Sequence, residues 1–343
     1  MQTAIIDLHV HLDGSIPLRT AGKLLHRLGL HREWDEAALR RNMQAPEDCP
    51  DLNAYLSVFD LPLRLMQSRE GIEAVSYAFH ELLAQQGLLY AEPRFAPSGL
   101  TGQGLRQEEA LQSALRGRER YYREHPDSVL HSGFLLCAMR GDSRENAREN
   151  TECFELAAEY LGRGVLGVDL AGAEALYPTE RYRELFERAA KLGLPYTIHA
   201  GEAAGEESIR AALSFQPQRI GHGIRAAESP ELLRELAARQ IPLELCPSSN
   251  LQTRIFPELS TFPLRMLYGQ GVKLTVNTDN MTVSNTSLSR ELSLLRIYCG
   301  LDLRMERTLL ENAADSIFAG EEERVRLRDA VAALPWERET VFR

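Results

Sequence analysis

Residues 4–14 read AIIDLHVHLDG, an apolar run that ends in two histidines one residue apart, His9 and His11. The run has the length and composition of a strand. Residues two apart on a strand point to the same side, so His9 and His11 face one way and Val10 the other. Seven more short apolar runs follow along the chain, at 88–95, 129–138, 165–169, 196–199, 219–221, 242–246 and 273–277. Between most of them lie stretches with apolar residues at i, i+3 and i+4, as at 107–123, 144–161, 180–192, 206–213 and 230–238, which predict helices. Ser229 before Pro230 reads as a helix N-cap, and Gly193 as a C-terminal stop.

Eight strands alternating with helices predict an α/β protein with a parallel (β/α)8 barrel; a doubly wound open sheet has the same periodicity. The strand ends separate the two. His9 and His11 end the first strand, His199 ends the fifth in TIHAGE, His222 the sixth in IGHG, and Asp279 the eighth in VNTDN. In a barrel all the C-terminal strand ends share one rim, where catalytic groups gather. Residues from His9 to Asp279 must converge on one point, so residues 1–343 are expected to form one domain. The stretch 17–87 is too long for a single crossover helix and is expected to hold several helices that roof the mouth. After Ile297 a helical tail is expected to pack outside the barrel.

Composition bounds the partners. Lys and Arg total 39 against 49 Asp and Glu, a net charge of −10, with 44% hydrophobic and 26% charged residues. A chain of this length and balance buries a large core. The acidic surplus argues against a nucleic-acid backbone or an anionic membrane as the main partner. No apolar run approaches the roughly 20 residues that span a bilayer, and the N-terminus lacks a basic segment followed by an apolar one. Five scattered cysteines with no CxxC pair read as reduced thiols, which predicts a cytoplasmic location.

Three imidazoles and a carboxylate make a nitrogen-rich ligand set that suits zinc or a similar divalent ion better than calcium or magnesium. Each residue alone has a plainer reading. Two histidines on a strand are often merely packed, a buried histidine is often only hydrogen-bonded, and an Asp in TDN can cap a helix or close an Asx turn. Together at strand ends they form a specific pattern. His26, His31, His80, His125 and His131 lie elsewhere and read as structural. The HxE and PCxxC signature of cytidine-type deaminases is absent, since Cys246 is followed by Pro-Ser-Ser.

The runs HVHLDGS, LAGAE, HAGE, GHG and NTDN, in this order and spacing, together with YAEPRFAP, resemble the adenosine deaminase family of metal-dependent amidohydrolases over nearly the whole chain. The resemblance implies that His9, His11, His199 and Asp279 bind one zinc ion, and that a purine nucleoside loses its 6-amino group as ammonia. It implies that Glu202 protonates ring nitrogen N1, that His222 orients the attacking water, and that Asp279 also takes a hydrogen bond from it. It places the Gly172 backbone N–H at N3, Asp13 at the ribose 5′-hydroxyl, Asn280 at N7 and His11 beside the substrate. Asn280 stands where many members have Asp; an amide can donate to N7 at any pH, whereas a carboxyl must be protonated to do so. The segment 51–66 resembles the family's lid, with Leu52, Leu56, Phe59 and Leu61 as candidate covering residues; packing in a helical core is the plainer reading of the same residues. Arg94 and Asp169 read as structural partners near the rim. The competing expectations are another 6-aminopurine as substrate, adenine or a 5′-modified adenosine, or a nucleoside-binding protein without catalysis. Oligomeric state has no signal in the sequence.

Overall fold

All eight expected strands form, and every pairing between them is parallel. The computed structural model describes residues 3, 5–30, 34–46 and 49–336; Ala4 and His31 lie outside the described residues. The strands are β1 (Ile6–His11), β2 (Tyr90–Phe95), β3 in two pieces around Gly133 (His131–Ser132 and Phe134–Met139), β4 (Val165–Ala171), β5 (His199–Ala200), β6 (Ile220–His222), β7 (Leu243–Leu245) and β8 (Leu274–Val276). Consecutive strands pair within two half-sheets, β1 to β4 and β5 to β8. Two single bridges close the barrel, Val168 with Tyr196 and Val10 with Asp279.

The crossover helices follow the sequence closely, as at Gln107–Glu124, Arg144–Tyr160, Glu206–Ser214 and Pro230–Arg239. Ser229 accepts from the Leu232 N–H, and Gly193 takes φ +70° just past the helix Arg183–Lys191. Among the described residues, 17–87 hold the helices Leu18–Arg27, Glu36–Met43, Leu52–Ser57, Asp60–Leu65 and Arg69–Gln85. No helix among the described residues is long and apolar enough to cross a membrane.

Glu92, Arg94, Asp169, Arg219 and Glu244 are fully buried and plug the barrel as one ionic cluster. Arg219 reaches Glu92 and Glu244 at 2.5 Å each, and Arg94 reaches Asp169 at 2.8 Å and Glu244 at 3.3 Å. Such charges are tolerated away from water only because each is paired. The tail does more than pack outside. The turn after the helix Leu303–Asp315 closes the cluster from below: the Ser316 carbonyl accepts from Arg219, the Phe318 N–H donates to Glu92, and the Phe318 ring lies 3.7 Å from the Arg219 guanidinium.

Candidate active site

The β1–β8 seam brings the first ligands together. The His11 N–H donates to the Asp279 carbonyl at 2.6 Å, and the Asp279 N–H donates to the His9 carbonyl at 2.7 Å. Asp279 has φ +58°, an uncommon conformation for a residue with a side chain and one that clusters at functional sites. Its Oδ1 lies 3.5 Å from Nε2 of both His9 and His11, and His11 Nε2 is 3.3 Å from His199 Nε2. One donor atom from each of His9, His199, His222 and Asp279 falls within 4.8 Å of the others.

The outer nitrogens are held from behind. His9 Nδ1 is 2.7 Å from Glu244 Oε2, and His199 Nδ1 is 2.9 Å from Asp169 Oδ2. A carboxylate there takes the Nδ1 proton, so the Nε2 lone pair faces inward, the usual arrangement behind a metal-binding histidine. His9 Nε2 is buried with no hydrogen-bond partner. Leaving such an atom unsatisfied costs about 1–3 kcal/mol. A single divalent ion at this cluster satisfies it, so these residues fit a metal centre. Gly221 makes room: a Cβ there would lie 3.2 Å from His9 Cε1 and 3.1 Å from His199 Cα.

Two acidic groups take opposite states. Burial alone would raise the Asp279 carboxyl, but the imidazoles of His9, His11 and His222 around it hold it well below the usual range. Burial pushes the Glu202 carboxyl well up, and the nearby Asp279 and Glu174 carboxylates push it further. Glu202 Oε2 lies 3.6 Å from His222 Nε2. Glu174 fixes the turn that carries Glu202, accepting N–H bonds from Gly201, Glu202, Ala203 and Ala204 at 2.6–3.0 Å.

A cavity of about 290 Å³ opens onto this group. Its polar end holds His11, Asp13, His199, Glu202, His222, Asp279 and Asn280, with the backbone of Gly172 at φ +104°; its apolar wall includes Leu52, Leu56, Phe59, Leu63 and Met139. The Asn280 amide donates to Tyr55 Oη at 3.0 Å, and Tyr55 in turn lies 2.7 Å from Ser284 Oγ. Only a glycine fits at position 14, where a Cβ would come within 1.8 Å of Asn280 Oδ1.

The family model for adenosine deaminase matches residues 5–334. Adenosine deaminase of Haemophilus ducreyi is 41% identical over 327 residues, covering 94% of each chain, and that of Enterococcus faecalis is 35% identical with 95% of each covered. Among solved structures, adenine deaminase from Arthrobacter aurescens superimposes with a TM-score of 0.84 at 25% identity, covering 96% of this chain and 98% of that one. The Arabidopsis N6-mAMP deaminase gives 0.85 at 26%, with the same coverage. The chain belongs to the adenosine deaminase family.

The family motifs quoted from the sequence all meet at this cavity, with His9 buried behind His11. Leu61 departs from expectation. It is 4% exposed and packs in the core, and Leu63 faces the cavity instead. The segment 51–66 is two short helices, Leu52–Ser57 and Asp60–Leu65, and the break resets which face points inward. Asp169 does pair with Arg94 as expected, yet it also holds His199. Glu244, Asn250, Tyr55 and Glu174 were not singled out as site residues from the sequence. For Glu244 a signal existed: a carboxylate between Leu243 and Leu245 inside an apolar strand.

Proposed function

We propose that this member of the adenosine deaminase family is a zinc-dependent adenosine deaminase, converting adenosine and 2′-deoxyadenosine to inosine and 2′-deoxyinosine with release of ammonia. The observation that carries this reading is one cavity joining a cluster of imidazoles and the Asp279 carboxylate to a second carboxyl, Glu202, whose burial pushes its pKa well up. The relatives named adenosine deaminase, at 41% and 35% identity, support it.

In this reading His9, His11, His199 and Asp279 hold the ion, and their nitrogen-rich chemistry favours zinc. Held there, zinc would lower the pKa of water from about 15.7 to near 7 and so make a hydroxide available at neutral pH. Glu202 gives its proton to N1, which makes C6 electrophilic. The attacking oxygen bonds to C6, its proton passes by way of the Asp279 carboxylate to the amino nitrogen, and the C6–N bond breaks to release ammonia. His222 stands next to Glu202 on the side of attack. Leu52, Leu56, Phe59, Leu63 and Met139 supply apolar surface for the flat purine and exclude water. The Gly172 N–H meets N3, and the Asn280 amide meets N7. We also read residues 1–343 as one catalytic domain acting in the cytoplasm on a freely diffusing nucleoside.

Charge favours a nucleoside over a nucleotide. Among the described residues Arg140 is the one guanidinium lining the cavity, and its two NH₂ groups are taken by the Tyr177 and His199 carbonyls and the Thr179 hydroxyl. Asp13 contributes a carboxyl group, pushed up to about 6 by its removal from water, where a phosphate would need a cation. Steady-state kinetics on adenosine, adenine and AMP test this. The wild type should prefer adenosine, and Asp13→Ala should lose roughly 10- to 100-fold on adenosine, the worth of one charge-assisted hydrogen bond, with little change on adenine. A kcat/KM for adenosine no better than for adenine would overturn the nucleoside reading.

A further inference from the structure

We propose that Asn250 is a positioning residue that fixes the proton of His222 on Nε2, which makes His222 a hydrogen-bond donor to the attacking oxygen. The inference rests on the deaminase reading above. Asn250 lies on the helix Pro247–Gln252, is fully buried, and places Nδ2 3.0 Å from His222 Nδ1. With the amide in this orientation its NH₂ donates and Nδ1 accepts, which puts the single proton of a neutral imidazole on Nε2. The surroundings of Nε2 agree. It looks toward Glu202 Oε2 at 3.6 Å, and a ring nitrogen of His222 lies within 4.8 Å of the Asp279 carboxylate. The opposite tautomer would aim a lone pair at that carboxylate.

The backbone of each partner is held in place. His222 sits at φ +58° and is followed by Gly223 at φ +66°. The Asn250 backbone N–H is bound to the Cys246 carbonyl at 2.9 Å, and its own carbonyl accepts from Ile255 at 3.1 Å. The first turn of its helix is pinned by buried Glu291, which accepts the Ser248 N–H at 3.0 Å. Asn250 Oδ1 is buried without a partner. That cost is kept while the NH₂ side is used.

A protonated Nε2 has no lone pair to give an ion, so although His222 lies in the cluster of donor atoms, the tautomer agrees with His9, His11, His199 and Asp279 as the proposed ligands. The Nε2–H can donate to the oxygen that bonds to C6, but it cannot take that oxygen's proton. His222 is thus an electrostatic donor and not a base.

Long-range ¹⁵N–¹H spectra of the metal-loaded enzyme, with the ring assigned by comparison with His222→Ala, read the tautomer directly. The wild type should carry the proton on Nε2. Asn250→Leu keeps the volume and removes the donor; the form protonated on Nδ1 should appear, and kcat on adenosine should fall about 10-fold or more, toward the ~10²-fold cost of a lost oxyanion donor. Its KM and metal content should stay at wild-type levels. A wild-type proton on Nδ1, or a metal on Nε2, overturns the proposal even if Asn250→Leu does not fold. In the folded variant, a tautomer change without loss of kcat, or loss of kcat without a tautomer change, overturns it as well. Absence of adenosine turnover in the wild type would instead defeat the deaminase reading, while the spectrum still reports the tautomer.

Discussion

Glu202 and Asp279 are two buried carboxyl groups on one site, and their neighbours drive them apart. Asp279 is surrounded by imidazoles and stays ionised, while Glu202 faces carboxylates and keeps its proton. This division of labour gives one acid and one base from the same chemical group. A general acid of this kind contributes about 10²–10⁴-fold, so Glu202→Gln should lower kcat by that order while metal content and inhibitor binding persist. The sign of the pH effect also follows. Activity requires the protonated form, so kcat/KM in the wild type should decline as pH rises through the elevated Glu202 pKa. The Gln variant should lack that alkaline limb. Retention of full activity would remove Glu202 from the role. The groups proposed to touch substrate or metal were legible in the sequence, because they end strands beside Gly or Asp. The groups behind them were harder to read. Glu244 reaches His9 from 235 positions away, and Asn250 reaches His222 from a different strand-end turn. Their function depends on closure of the barrel, which no local pattern encodes.

At the scale of elements, strand existence was legible from short apolar runs, and helix phase was not. Leu61 and Leu63 exchanged roles because a two-residue break separates the helices of the lid. The helix Leu288–Tyr298 carries a different kind of device. Its buried Glu291 joins the turn of Asn250, through the Ser248 N–H, to the loop of Asn280, through the Thr286 hydroxyl. Burial raises the Glu291 carboxyl to about 7 from the ordinary 4.5, outweighing those hydrogen bonds. An acid whose folded pKa is raised destabilises the fold as pH rises from the unfolded to the folded value, and by a constant amount above it. The penalty is roughly 3 kcal/mol above pH 7 and under about 1 kcal/mol at pH 5. Gln at this position keeps an acceptor for the Ser248 N–H and reverses the other bond, its NH₂ donating to the Thr286 hydroxyl. Denaturant unfolding should therefore find Glu291→Gln more stable than wild type at pH 8.5, with the advantage shrinking toward pH 5. A difference independent of pH would mean that Glu291 does not titrate in this range.

At the scale of the molecule, the proposed metal ligands straddle the joints of the barrel. Each joint has a single backbone bridge, Val10 with Asp279 on one side and Val168 with Tyr196 on the other. His9 and His11 belong to the first half-sheet and Asp279 to the end of the second, across the first joint. His199 belongs to the second half-sheet, and its partner Asp169 to the first, across the other joint. One ion therefore ties both halves at both seams, through side chains that the plug of Arg94, Arg219 and Glu244 already aligns. Binding that favours the folded state adds about 4 kcal/mol when the free ion is at 1,000 times its Kd. For a chain of this size that corresponds to a Tm change on the order of 6 °C. Removing the metal with a chelator should lower Tm by about that much. Hydrogen exchange should locate the loss. The His11 and Asp279 amides at one seam and the Thr197 and Val168 amides at the other should exchange faster, while amides between β3 and β4 stay protected. Loosening spread evenly over both half-sheets, or no change in Tm, would mean that the ion serves the chemistry without holding the barrel closed.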